Sequence, residues 1–253
     1  MPLEAKAMTD IYDAQVPDSG DPAAGRIHPF IGSAFTTTPD ALRVLALGVN
    51  AYCDDDATSK PAWFPAMFSE RKYRFQKAVV RDVGILAAAL TASPAFAGRT
   101  FLGVESVYHT NAVKRFLPAS KGKKAHRVPE DYFIEGAGVF RAELEALAAA
   151  GALPDLVVVF GSRPWSHVWP AFRRPRPAWV TSNVTSPGDL FHHLNRVRVR
   201  TRPDEDRPLL LVKLRHPTGS RGRGMSASDL CGHADFQRAL MLDGGGSEQV
   251  NAR

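Results

Sequence analysis

Short apolar runs separated by helix-length stretches constrain this chain more than any other feature. Arg43 to Val49 (RVLALGV), Leu156 to Phe160 (LVVVF) and Leu209 to Leu214 (LLLVKL) are too short for buried helices and are bounded by turn or polar residues. Side chains of a strand alternate between its two faces, so a run that is apolar at every position needs cover on both. That is the mark of a parallel sheet set between helices. Thr100 to Val107 reads as a further strand, delivering His109, Thr110 and Asn111. The expectation is an α/β fold: a three-layer αβα sandwich around a short, mainly parallel four-stranded sheet.

The helices come from apolar spacing. An aromatic cluster (Trp63, Phe64, Phe68, Tyr73, Phe75) leads into Ala78, Val79, Val83, Leu86 and Leu90, which predicts a helix of about five or six turns. Residues 138–150 predict a second, closed by Gly151, and residues 228–240 a last one, capped by Ser226 or Ser228. With 253 residues, 44% of them hydrophobic, the chain can bury one sizeable core. We therefore expect a single domain over 41–242, an irregular lead-in over 1–40, and a disordered tail over 243–253 that begins near Gly244. Residues 163–207 read as an Arg- and Pro-rich insertion, either solvated or DNA-contacting. Residues 114–127 carry seven basic side chains, counting His126, and no acid, which predicts a flexible cationic loop.

The net charge of +6 suits a polyanionic partner. Two cysteines, Cys53 and Cys231, build neither a disulfide framework nor a four-cysteine metal or iron–sulfur site, so a reducing cytoplasm is the expected setting. No run approaches the roughly 20 apolar residues of a membrane span, and no membrane association is expected. Walker, Gly-x-Gly-x-x-Gly, Gly-x-Ser-x-Gly, His-Glu-x-x-His and Cys-x-x-Cys patterns do not occur. His192-His193 lacks acidic or thiol neighbours, so neither a metal nor a cofactor is expected.

In an open α/β sheet the carboxyl ends of the strands line the ligand crevice. Four segments fall near such ends: Gly48-Val49-Asn50-Ala51-Tyr52-Cys53, Thr110-Asn111-Ala112-Val113-Lys114, Val157 to Ser162, and His216-Pro217-Thr218-Gly219-Ser220-Arg221. In this order they resemble the motifs of the uracil-DNA glycosylase superfamily, over about residues 40–162 and 208–240. The first is closest to the mismatch-specific and single-strand-selective branches, which carry Asn where the faster enzymes carry a water-aligning Asp. Ala51 and Cys53 depart from the Pro and His of those faster enzymes.

The resemblance implies a monofunctional DNA glycosylase that hydrolyses the bond between deoxyribose and a flipped-out uracil or modified pyrimidine, acting as a monomer. Asn50 would position the water, and His216 would donate a hydrogen bond to the departing base. Tyr52 would wall the space beside the pyrimidine C5, Phe68 (with Phe64 in reserve) would stack on the base, and Asn111 would read its Watson–Crick edge. Lys114, Thr218, Ser220, Arg221 and Arg223 would contact DNA. Two alternatives stay open: excision of a bulky modified pyrimidine from phage DNA, and a lesion-binding protein without catalysis.

Overall fold

The computed structural model describes residues 5–16, 29–49, 52–53, 74–115, 117–118, 128–173, 175–185, 188–190, 192–202, 205–216 and 224–241. Their strands are β1 (Phe30–Ile31), β2 (Val44–Gly48), β3 (Tyr52–Cys53), β4 (Val107–Asn111), β5 (Leu117–Pro118), β6 (Leu156–Phe160), β7 (Leu194–Arg202) and β8 (Glu205–Leu214). The α-helices are α1 (Ala5–Gln15), α2 (Ser33–Thr37), α3 (Arg74–Thr91), α4 (Glu130–Ala149), α5 (Ser162–Val168), α6 (Ala227–Cys231) and α7 (Ala234–Met241).

The fold is α/β, but its main sheet has six strands rather than four, in the order β1-β4-β2-β6-β8-β7. The four expected strands are the central, mutually parallel ones. β1 and β7 add an antiparallel strand at each edge. β1 is two residues long and too brief to carry a pattern. β7 does carry one: Val197 and Val199 point into the core, while Arg196, Arg198 and Arg200 alternate with them. The arginines drew that segment toward a loop reading, although outward charge is how an edge strand resists pairing with another chain.

Alternation in β2, β6 and β8 divides the core. Leu45, Leu47, Val157, Val159, Leu209 and Leu211 face Phe133, Phe140, Leu144 and Leu147 of α4. Val44, Ala46, Val158, Phe160, Leu210 and Val212 face Val79, Val83 and Leu86 of α3 and Leu230, Phe236 and Leu240 of α6 and α7. Each buried aliphatic side chain contributes about 1.5–3 kcal/mol, so the helices on the two faces are what hold the sheet.

Several boundaries differ from expectation. α4 begins at Glu130 rather than 138, behind Pro129, with Glu130 and Asp131 in its positively polarised first turn. The last helix is two, α6 and α7; Ser226 caps α6 through a reciprocal capping box with Asp229. β4 starts at Val107, where the second strand was expected to end, and β8 starts four residues before Leu209. The lead-in is not wholly irregular, since α1 packs Tyr12 and Val16 into the core. The 163–207 segment is not a solvated insertion: Val168, Phe172, Trp179, Val180, Leu194, Val197 and Val199 are all buried. Of the supposed cationic loop, Lys114 and Arg115 are buried and Leu117–Pro118 pairs with β3.

Candidate functional site at the carboxyl ends of the parallel strands

The chain leaves β2, β4, β6 and β8 at one end of the sheet. Gly48 sits in register with Asn111, and the β2–β4 ladder continues past the strands, Ala112 N–H donating to Gly48 O and Val113 N–H to Val49 O, both at 2.9 Å. β6 joins β8 similarly, Gly161 N–H donating to Leu214 O at 2.9 Å. Gly161 holds φ at +106°, a conformation that favours glycine, and turns the chain straight into α5. A Cβ built on Gly161 would lie 3.9 Å from His216 Cβ and 4.0 Å from Val49 Cγ2. The tips of β2, β6 and β8 therefore meet at this glycine, which leaves His216 and the residue preceding Asn50 as near neighbours.

Asn111 is the last residue of β4 and is 3% exposed. Strand alternation puts it on the same face as Val107, the α3 side, next to Gly48, which has no side chain to fill the adjoining space. Its Nδ2 has no hydrogen-bond partner among the described residues. A buried amide donor left unused costs about 1–3 kcal/mol, so this position is polar at the expense of stability. The backbone just beyond it is held from the other side by α4: a Cβ on Gly136 would collide with the Ala112 carbonyl.

His216 is half-buried, and burial lowers its pKa below the ordinary histidine value. The ring is neutral at pH 7, with one N–H to donate and one lone pair. His109, fully buried in β4, is pushed down to about 3 by burial and then by the Lys114 charge, so it too is neutral.

Lys114 is corrected by the structure, because it does not face solvent and contacts no phosphate. It is fully buried beneath α1, with Nζ 2.9 and 3.0 Å from the two Glu143 oxygens and 2.6 Å from Thr110 Oγ1. These contacts use all three ammonium donors. Tyr12 of α1 donates to Glu143 at 2.5 Å, and its ring centroid lies 5.6 Å from Nζ. Burial lowers the Lys114 pKa, with Glu143 opposing. Arg115 is likewise committed, in a two-pronged ion pair with Glu135. This network went unforeseen, although Glu143 falls in the apolar stripe of α4 between Phe140 and Leu147, where an acid signals a buried partner.

Asn50, Phe64, Phe68, Thr218, Ser220, Arg221 and Arg223 lie outside the described residues. Tyr52 is described as backbone, in register with Leu117. Of the expected site, the structure thus brings together the His216 tip, Val49 beside Asn50, and Asn111 on the neighbouring strand. Gly161 is the member the sequence reading passed over, and its signal was a glycine directly after a fully apolar strand. No described group of three or more His, Cys, Asp or Glu side chains could hold a metal ion, and no described helix is long and apolar enough to cross a membrane. The larger described cavity, about 620 Å³, opens at the opposite end of the sheet. No family model matches this chain, and no curated protein matches it significantly.

Proposed function

We propose that this protein is a DNA glycosylase of the uracil-DNA glycosylase type, acting on a uracil or modified pyrimidine flipped out of DNA. The observation that carries the reading is the meeting of the β2, β6 and β8 tips at Gly161, with His216 Cβ and Val49 Cγ2 about equally close to it. Residues 170 positions apart in sequence, Val49 and His216, share one spot, as a mechanism using both Asn50 and His216 requires.

In the proposed reaction a water held by Asn50 adds to the sugar C1′ as the C1′–N1 bond breaks and its electron pair leaves with the base. Asn50 orients the water but takes no proton, which goes to solvent as the sugar hydroxyl forms. His216, neutral at pH 7, donates its N–H toward the pyrimidine O2, where negative charge grows; a preorganised donor of this kind is worth about 3–4 kcal/mol. Asn111 has a free Nδ2 donor for O4 and a carbonyl acceptor for N3–H.

The test uses oligonucleotides carrying uracil, mismatched uracil, 5-substituted cytosine or thymine, followed by alkali to reveal abasic sites. Strand breaks at uracil support the reading. Breaks solely at substituted cytosine would redirect it to modified, phage-type DNA. Tight binding without breaks on any substrate would leave a lesion-binding protein and refute the catalytic assignment.

A further inference from the structure

The cavity of about 620 Å³ at the amino ends of the parallel strands belongs to no part of the proposed glycosylase chemistry. Its size is within the range of small-molecule sites, about 300–1,000 Å³. Three arginines line it: Arg43 at the start of β2, Arg99 before β4, and Arg207 within β8. They surround one carboxylate, Asp155, which is 1% exposed. Arg207 contacts Asp155 through Nη1 and the Leu153 carbonyl through Nη2, while Arg99 Nε is 3.9 Å from Asp155 and its Nη1 donates to Pro39 O at 2.7 Å. The Arg43 guanidinium donates to the carbonyls of Phe35 and Gly151.

Three guanidinium groups against one interior carboxylate leave the inner wall with positive charge in excess. The Arg207 side chain is 8% exposed, and its Nε has no hydrogen-bond partner. Its pKa is driven down to about 9 by burial and then by repulsion from Arg99 and Arg43. An anion near these groups would relieve that repulsion and take up the idle donor. The mouth is different: Asp40 is exposed and Glu205 half-exposed, so both carboxylates are available to accept from hydroxyl groups. The cavity is therefore polarised, cationic within and anionic at the rim. None of its lining residues is aromatic, which leaves nothing for a nucleobase to stack on.

We propose that this cavity binds a sugar phosphate, with the phosphate against Arg99 and Arg207 and the sugar hydroxyls toward Asp40 and Glu205. The inference stands apart from the glycosylase reading, since it uses the other end of the sheet and needs no DNA. It is tested by isothermal titration calorimetry on the full chain at low ionic strength, with ribose 5-phosphate, inorganic phosphate and ribose as probes. Ribose 5-phosphate should bind with a Kd of about 1 mM or tighter, and Arg99→Gln should weaken it at least about tenfold. Arg99 is the variant of choice because its side chain is 19% exposed and keeps part of its environment in water; its melting temperature is recorded beside the titration. Asp40→Asn should weaken ribose 5-phosphate and leave inorganic phosphate unchanged. Absence of binding at about 10 mM ribose 5-phosphate, or a folded Arg99→Gln within about twofold of the parent, would overturn the site. Inorganic phosphate or free ribose binding as tightly as ribose 5-phosphate would overturn the sugar phosphate assignment.

Discussion

At the carboxyl ends of the parallel strands the polar groups are neutral and spare: His216 is uncharged, Asn111 keeps an unused amide donor, and Gly48 and Gly161 leave room around them. At the amino ends the groups are charged and crowded, with Arg43, Arg99 and Arg207 gathered on Asp155. Beneath the neutral end lies a buried ion pair, Lys114–Glu143, whose ammonium donors are all satisfied. The difference teaches where this fold keeps its charge. Charge at the carboxyl end is placed below the surface, as support, and the groups facing the crevice are those that can interact with a neutral base and a base anion in turn.

The largest effect should come from breaking the support. Lys114→Met leaves Glu143 buried without its counterion, which costs about 3–5 kcal/mol; urea unfolding should show this. The double variant Lys114→Met, Glu143→Leu should recover most of that loss, and if it does not, the pair contributes more than mutual compensation. Next, His216→Ala should lower turnover about 10²–10³-fold while DNA affinity stays nearly unchanged. Equal loss of both would remove His216 from the chemistry and erase the distinction between the two ends.

Gly136→Ala should cost about 1–3 kcal/mol, because its Cβ meets the Ala112 carbonyl and α4 must shift. A thermal melt reads this. If activity falls further than stability explains, α4 is setting the position of Asn111. Acid should act through His109, whose pKa is about 3 when folded and near 6.5 when unfolded. Between those values the unfolded chain binds a proton that the folded chain does not, so stability is full above pH 6.5 and falls on acidification, by up to about 1.4 kcal/mol per pH unit. His109→Gln should flatten that slope in unfolding measured across pH. The smallest effect is on the stability of Asn111→Ala: the amide has an unused donor, so unfolding should change by less than about 1 kcal/mol while cleavage drops. A large destabilisation would mean that Asn111 is structural.

Much of the fold was legible because burial on both faces writes itself into a strand. LVVVF and LLLVKL admit few other readings, and the Val79, Val83, Leu86, Leu90 stripe marked α3. The edges were less legible. β1 is too short to carry periodicity, and the alternating valines of β7 lay among arginines that suggested a loop. Lys114 was misjudged for a related reason: a lysine in a basic stretch reads as solvent-facing until its partner, 29 residues away on another element, is known.

The sequence by itself determined the parallel strands, the helices that cover them, and which polar residues stand at the strand ends, because period and local composition act over a few neighbouring residues. Tertiary structure alone decided that β6 lies between β2 and β8, so that Gly161 carries His216 toward Val49, and that Lys114 and Glu143 find each other under α1. Those pairings depend on strand order and helix docking, which are fixed by the packing of the whole core.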